Sequence, residues 1–203
     1  MKTALQVFIS LCLLVYPSQI LANEVYERNQ TDISKIEKYL NNIKYLGATF
    51  LQESQDSLIT YGKFYLSRPG KMRIEYKEPS EILIVVNGGV LTYQDVELEE
   101  TSYLRTNSTP ASLLTRKNIS FSAKDIEVTN FTREKGLIKL SLLKKNKQEA
   151  GEFTLTFSEN PIKFIKMQAK DDMDQIVTIT LEKHDFVTKI DNKLFIIKNS
   201  QLP

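Results

Sequence analysis

Residues 62–93 read GKFYLSRPGKMRIEYKEPSEILIVVNGGVLTY, and this stretch decides the fold class. Over Lys71–Tyr76 charged and apolar residues alternate strictly, which is typical of a strand with one buried face. The pair Pro69–Gly70 before it suits the centre of a type II turn. The pair Asn87–Gly88 follows an apolar run and is a strong hairpin signal. The stretch therefore predicts antiparallel strands joined by tight turns.

Strand patterns continue along most of the chain, and beyond residue 115 no helical pattern separates them. Parallel crossovers are therefore absent, and the sheet is expected to be antiparallel. The other expected strands are Thr49–Glu53, Ile59–Leu66, Ile82–Val86, Val90–Gln94, Thr101–Leu104, Ile126–Phe131, Leu137–Leu143, Glu152–Phe157, Ile162–Ala169, Ile176–Leu181 and Lys193–Ile197.

An amphipathic helix precedes the strands. Apolar residues recur at spacings of three and four from Ile33 to Leu46, behind a capping Thr31 or Asp32. Gly47 is a natural stop. We therefore expect one N-terminal helix with one apolar side.

A second, short helix is expected from about Pro110 to Thr115, because proline behind a capping hydroxyl suits the first helical position. Two helices cannot cover so many strands, so the sheet must curl into a barrel or half-barrel, or fold into a sandwich. A curled sheet with a helix as plug or lid encloses an apolar interior. The pattern leaves open whether that interior holds a ligand or is filled by side chains.

The first residues have the layout of a secretory signal peptide: a basic Lys2, an apolar stretch over Ala4–Tyr16, and a possible cleavage site after Ala22. The alternative is an uncleaved N-terminal anchor. We expect a signal peptide over residues 1–22 and one domain over residues 23–203. The only cysteine, Cys12, falls in the signal segment, so the mature chain has no disulfide.

The composition excludes several classes of protein. With 27 basic and 25 acidic residues, the chain lacks the concentrated positive charge of a nucleic-acid protein. It has no hydrolase, phosphate-loop or dinucleotide motif. His184 is the only histidine, and Asp185 beside it points to the opposite face of a strand, so a surface histidine is a better interpretation than a catalytic triad. We expect no enzyme activity and no cofactor.

Three acidic residues, Asp171, Asp172 and Asp174, cluster between two expected strands. Calcium prefers such oxygen ligands, but the cluster lacks the glycine and the distal glutamate of a calcium loop. A solvated turn is the favoured interpretation, and no metal site is predicted.

A set of short motifs carries a family resemblance that is clear over residues 31–116. It consists of Phe50–Gln52, Gly62–Tyr76, Pro79, Ile84–Gly88, Leu91–Tyr93 and Thr109–Pro110. Together these residues resemble the core of the periplasmic outer-membrane lipoprotein carrier family.

The resemblance implies a single curled antiparallel sheet, mainly β, that forms an unclosed β-barrel with an N-terminal helix and a short lid helix. It implies a monomeric periplasmic chaperone that binds the acyl chains of lipoproteins in an apolar cavity. Such a carrier receives its cargo from an inner-membrane ABC transporter and passes it to an outer-membrane receptor.

Strand parity groups the candidate cavity lining, although it does not say which face looks inward; an ordinary core is the alternative for each residue. The candidate lining is Phe50, Phe64, Leu66, Met72, Ile74, Tyr76, Ile84, Val86, Leu91 and Tyr93. The lid is expected at Pro110, Leu113 and Leu114. By resemblance, Arg68 ties the lid helix down in the empty state; a solvent-facing turn arginine is the alternative.

Two other functions remain open. A periplasmic lipid-sensing or regulatory domain on the same half-barrel would bind a partner protein and transport nothing. A secreted hydrolase would use His184.

Overall fold

The computed structural model describes residues 16–54, 58–77, 81–145, 151–170, 175–186 and 189–197, with side chains from residue 29 onward. The chain forms two compact units, residues 1–36 and 37–203. Residues 1–15 and the acidic cluster at 171–174 lie outside the described part. The signal peptide over residues 1–22 and the single domain over residues 23–203 therefore stay predictions.

Helix α1 spans Tyr16–Asn42, so the sequence placed both of its ends wrongly. It starts earlier than Thr31 because no glycine or proline interrupts residues 18–42, and proline at position 17 is tolerated in a first turn. It ends before Leu46 because that residue already pairs with Leu66 in the sheet.

The strands form one antiparallel sheet of eleven, as the sequence predicted, with ends that differ by up to four residues. They are β1 Tyr45–Glu53, β2 Ile59–Ser67, β3 Lys71–Tyr76, β4 Ile82–Asn87, β5 Val90–Asp95, β6 Glu100–Arg105, β7 Ile126–Glu134, β8 Leu137–Lys144, β9 Glu152–Ser158, β10 Lys163–Lys170 and β11 Ile176–Asp185.

The sheet consists of two meanders joined at their first and last strands. Its order is β6-β5-β4-β3-β2-β1-β11-β10-β9-β8-β7, so β1 and β11 lie at the centre. At this junction Phe50 pairs with Leu181 and Glu53 pairs with Thr178. Strands β6 and β7 form the two edges and do not pair with each other within the described residues. The barrel is therefore open.

The C-terminal segment is not a strand, although Lys193–Ile197 was expected to be one. It forms a 3₁₀ turn over Asn192–Phe195, whose start is capped when the Asp191 carboxylate accepts a hydrogen bond from the Lys193 amide at 3.0 Å. Phe195 is buried against Val85. Apolar packing on the sheet thus replaces a strand pairing.

A short helix α2, Ala111–Leu114, lies between the two meanders, close to the expected Pro110–Thr115. A 3₁₀ turn over Thr106–Ser108 precedes it. Proline at position 110 takes a helical conformation just before the helix, as the sequence indicated.

Candidate functional site

All ten residues of the predicted lining lie on one face of the first meander, which we call the inner face. Cross-strand pairs fix this assignment, because directly paired residues point to the same side of a sheet. Leu66 pairs with Met72, and Met72 pairs with Val86. One step along, Phe64 pairs with Ile74. The opposite side, the outer face, carries Val85 and the C-terminal 3₁₀ turn.

The inner face is closely packed. Seven of the ten residues are at least nine-tenths buried: Phe50, Phe64, Leu66, Met72, Ile74, Val86 and Leu91. Tyr76, Ile84 and Tyr93 are half-buried. The structure therefore shows these ten residues as part of a core, with its more open end at the two tyrosines.

That open end is held by aromatic and polar contacts. The Tyr76 hydroxyl donates to Gln52 Oε1 at 2.5 Å, and its ring meets the Phe50 ring edge-on with centroids 5.1 Å apart. Burial, and to a lesser extent neighbouring Tyr93, raises the pKa of Tyr76 to about 12. Tyr76 is thus a neutral hydrogen-bond donor at physiological pH.

The inner face continues over the second meander, which the sequence interpretation did not include in the lining. The same period of two marks those strands, and only the pairing of β1 with β11 shows that both meanders share one face. The additional buried apolar residues on it are Ile126, Ile138, Leu140, Leu142, Phe153, Leu155, Phe157, Phe164, Met167, Ile179 and Leu181.

The end of α1 covers part of this second meander. The Tyr39 ring meets the Phe157 ring edge-on at 6.3 Å, and the Tyr39 hydroxyl accepts a hydrogen bond from the Phe164 amide at 3.0 Å. Burial raises the pKa of Tyr39, outweighing that hydrogen bond, so its hydroxyl stays neutral. The helix end is therefore a fixed part of the inner packing.

The loop after α2 is also tied to the end of α1. The Asn41 side chain donates to the Ile119 carbonyl and accepts from its amide, both at 2.8 Å. The Phe121 amide donates to Glu37 Oε1 at 2.5 Å. Ile119 and Phe121 are buried. The end of α1 from Glu37 onward, this loop and the sheet thus pack together.

Helix α2 buries its apolar side, as expected of a lid. Leu113 and Leu114 are 4% and 2% exposed, and Pro110 is half-buried. At its C-terminal end the Gly70 amide donates to the Thr115 carbonyl at 2.7 Å. The β2–β3 turn therefore does contact the end of this helix, through its backbone.

Lys144 of β8 holds the other side of α2. Its ammonium group donates to the Asn107 carbonyl at 2.5 Å, to the Asn107 side-chain oxygen, and to Ser112 Oγ at 3.2 Å. The sequence gave no signal for this contact, since a lysine near a strand end is usually solvated. Lys144 links the second meander to the segment that follows the first.

Beneath α2 a cavity of about 30 Å³ remains. This is about the volume of one water molecule. Its wall includes Leu113 of α2, Leu142 of β8 and Phe153 of β9. The helix thus rests almost directly on the inner face, and the space between α2 and the described strands has no room for an acyl chain.

Arg68 is 7% exposed, so it is not a solvent-facing turn residue. Its guanidinium donates to the Ile43 carbonyl through Nε at 2.8 Å and Nη2 at 2.5 Å, while Nη1 has no partner within the described structure. Burial lowers its pKa to about 10, so it remains charged at neutral pH. Arg68 was expected to hold the lid helix, whereas the guanidinium found here holds the residue after α1.

His184 of β11 contacts the backbone of the neighbouring strand β10. It is half-buried rather than fully exposed, and its Nε2 contacts the Phe164 carbonyl at 2.6 Å. Since a carbonyl only accepts, Nε2 carries the proton. Burial lowers the pKa of His184, outweighing the raising effect of that hydrogen bond.

No group of three or more His, Cys, Asp or Glu side chains among the described residues could hold a metal ion. Within the same residues, no helix is both long and apolar enough to cross a membrane.

A protein-family model described as "Outer membrane lipoprotein carrier protein LolA" matches residues 41–198. This match covers both meanders and the inner face described above. The chain belongs to the LolA family of outer-membrane lipoprotein carrier proteins.

Individual relatives are distant. An outer-membrane lipoprotein carrier protein of Methylococcus capsulatus is 30% identical over 179 residues, covering 81% of this chain and 82% of the relative. An uncharacterized protein of Rickettsia prowazekii is 25% identical over 179 residues, covering 88% and 82%. A crystal structure of a LolA superfamily protein from Nitrosomonas europaea gives a TM-score of 0.44 at 9% identity, covering 81% and 97%.

Proposed function

We propose that this protein is a non-catalytic carrier that shields the acyl chains of lipoproteins on the inner face, beneath α2. In this proposal residues 1–22 direct it to the periplasm, where it acts as a monomer. It takes cargo from an inner-membrane ABC transporter and delivers it to an outer-membrane receptor. Family membership supports the cargo class.

One observation carries the mechanism: α2 lies on the inner face over a cavity of only about 30 Å³. An acyl chain can enter only if α2 moves away, so cargo and the apolar side of α2 compete for the same surface. A closed empty state therefore favours release of cargo.

The energetic need for such shielding is large. Burial is worth about 0.8 kcal/mol per methylene, so three chains of about 15 methylenes would cost roughly 36 kcal/mol gross to expose to water. A carrier must offset most of that cost and still surrender the chains. Leu113 and Leu114 of α2 compete with the acyl chains for the inner face, and this competition provides a way to release the cargo.

Binding of a triacylated lipopeptide tests the proposal, with the same peptide lacking acyl chains as the reference. Tyr93→Glu places a charge on the inner face, and Thr92→Glu places it on the outer face of the same strand. We expect Tyr93→Glu to weaken binding at least about tenfold, since a buried carboxylate beside an acyl chain is costly. We expect Thr92→Glu to bind as wild type does.

Equal binding by both variants, or equal binding of the acylated and the unacylated peptide by the wild type, would contradict the proposal. Mass spectrometry of protein purified without detergent provides an independent check, because a carrier is expected to retain lipid or acylated protein. Thermal unfolding of each variant shows whether a lost affinity is merely a lost fold.

A further inference from the structure

A surface groove of about 630 Å³ lies beside β3, β4 and the turn that joins β5 to β6. Arg73, Glu75 and Leu83 of the outer face form part of it, and Tyr76 and Ile82 of the inner face border it, so the groove lies at the edge between the two faces. Its described lining is Arg73, Glu75, Tyr76, Lys77, Glu81, Ile82, Leu83 and Val96.

The β5–β6 turn presents large apolar side chains to solvent next to this groove. Val96 lines the groove and is 45% exposed, and Leu98 is 65% exposed. The turn is ordered by a hydrogen bond from the Leu98 amide to Asp95 Oδ1 at 3.0 Å. Two apolar side chains are thus held in water by a defined turn beside a groove that also contains Ile82 and Leu83, and exposed apolar surface of this kind is a common property of docking surfaces.

The same turn carries unbalanced negative charge. Residues 95–100 read DVELEE, with four acidic residues and no basic one. Glu97, Glu99 and Glu100 form no ion pair within the described structure, and neither does Glu81 of the groove.

Two of these carboxylates, Asp95 and Glu100, affect the pKa of Tyr93. Burial raises the pKa of Tyr93, and the charges of Asp95 and Glu100 raise it further. Arg73 neutralises Glu75 of the groove at 2.9 Å and also donates to the Leu194 carbonyl at 3.0 Å, so it is not paired with the carboxylates of the turn. Lys77 is the remaining positive charge of the described lining.

The order of residues in the turn defines what would fit it. Acidic and apolar residues alternate from Asp95 to Glu99. A segment in which basic and apolar residues alternate matches both the charge and the apolar contacts. Anionic lipid headgroups do not match, because like charges repel.

We propose that the groove and residues 95–100, together the acidic groove, form a docking surface for a basic segment of a partner protein with apolar side chains between its basic residues. Attraction between opposite charges speeds the encounter and orients the segment. Val96 and Leu98 then bury apolar surface against it. The inference goes beyond the proposed function, since it concerns a partner protein and not the acyl chains, although Tyr76 and Ile82 of the inner face also line the groove.

The test measures binding of a short synthetic peptide of alternating lysine and leucine, with alternating lysine and serine as the comparison peptide. The first variant combines Glu97→Gln, Glu99→Gln and Glu100→Gln. Its matched control combines Glu127→Gln, Glu134→Gln and Glu182→Gln, which changes the net charge equally at exposed positions elsewhere. A third variant is Leu98→Ser.

We expect the turn variant to lose about tenfold in affinity, since tenfold is about 1.4 kcal/mol and each of three exposed ion pairs would contribute a part of it. The matched control should change by less than about twofold, because its charges lie outside the groove. Leu98→Ser should weaken the lysine–leucine peptide and leave the lysine–serine peptide unaffected. Affinity in all cases should fall with added salt.

Equal loss in the turn variant and the matched control would overturn the proposal, since only general charge attraction would remain. Equal affinity for the two peptides would also overturn it, because the apolar contacts would then have no role. Self-association abolished by the turn variant, or binding to phosphatidylcholine vesicles abolished by Leu98→Ser, would identify a different occupant and overturn it too. Lipopeptide binding by the same variants is expected to be unchanged, so failure here is distinguishable from failure of the carrier function.

Discussion

At Gly62 of β2 a methyl group would lie 2.3 Å from the Glu75 carbonyl oxygen and 2.5 Å from the Phe50 ring. The ring of Phe50 occupies the space that a side chain at position 62 would need. Glycine is required here by close approach, since its backbone is not in the left-handed region.

We therefore expect Gly62→Ala to lower the free energy of unfolding by about 1–3 kcal/mol, as overpacking of a dense core does. Gly89→Ala is the matched control, because a methyl group there meets nothing within 4 Å. Urea denaturation of both variants gives the comparison. Similar midpoints for Gly62→Ala and wild type would mean that Phe50 can move aside.

Arg68→Leu removes both hydrogen bonds to the Ile43 carbonyl. This loosens the end of α1 and weakens the closed empty state, so release of cargo is expected to slow. The measurement is transfer of a triacylated lipopeptide to acceptor vesicles, with Lys63→Leu as a charge-matched control at an exposed position of β2. Release as fast as in wild type would contradict a role for Arg68 in closure.

At the scale of single residues the sequence predicted where Arg68 lies but not what it bonds. Pro69 and Gly70 form a turn signal that can be recognised from neighbouring residues alone. This signal placed Arg68 beside the β2–β3 turn. Its partner, Ile43, is 25 residues away, and no spacing rule relates the two. The packing of Phe50 over Gly62 was beyond prediction for the same reason.

Among the helices and strands, α2 depends most on contacts with other parts of the chain. It has only four residues, too few to be stable as an isolated helix. Its position therefore depends on the Gly70 amide, on Lys144 and on burial of Leu113 and Leu114. Weakening one of these contacts should free the helix without unfolding the sheet.

Lys144→Met tests this. We expect faster hydrogen exchange at the amides of Ala111–Thr115 and a change in global stability of less than about 1 kcal/mol, since the bonds removed are near the surface. Lys145→Met is the control, because that side chain is exposed and forms no hydrogen bond or ion pair within the described structure. Unchanged exchange in α2 would show that Lys144 does not restrain it.

The sequence predicted both α2 and its buried leucines, because a proline behind hydroxyl residues is a local signal. It gave the wrong structure for Lys193–Ile197. Leu194, Phe195 and Ile197 pack in one cluster with Val85 on the outer face, and the continuous apolar run over residues 194–197 would also have suited a strand. Whether this segment becomes a strand or a 3₁₀ turn depends on the packing site around Val85, which exists only once the sheet has assembled.

For the whole sheet, the pairing of β1 with β11 is the decisive contact. Both strands have neighbours on each side, whereas β6 and β7 each have one. We expect the amides of β1 and β11 to exchange hydrogen most slowly and those of β6 and β7 fastest, measured by mass spectrometry under native conditions. Central strands that exchange as fast as the edges would mean that the two meanders open independently.

The sequence predicted these eleven strands and their antiparallel pairing, since both depend on alternation and on turn residues, whereas the open barrel was implied by the family resemblance. It grouped the residues of the first half of the inner face correctly, because alternation along each strand and the tight turns between neighbouring strands determine which side chains share a face. The second half was missed, since its place beside the first depends on contacts such as Phe50 with Leu181, 131 residues apart.

The same separation affects how the chain reaches its native state. When β1 first forms a hairpin with β2, its other edge has exposed backbone groups and no neighbour, and β11 is still to be synthesised. Pairings this distant in sequence slow folding. In a partly folded chain whose β1 has not yet paired with β11, the exposed edge of β1 is open to pairing with other chains. Until its last strand arrives, the nascent protein therefore has an aggregation-prone centre, which a holding chaperone would have to protect.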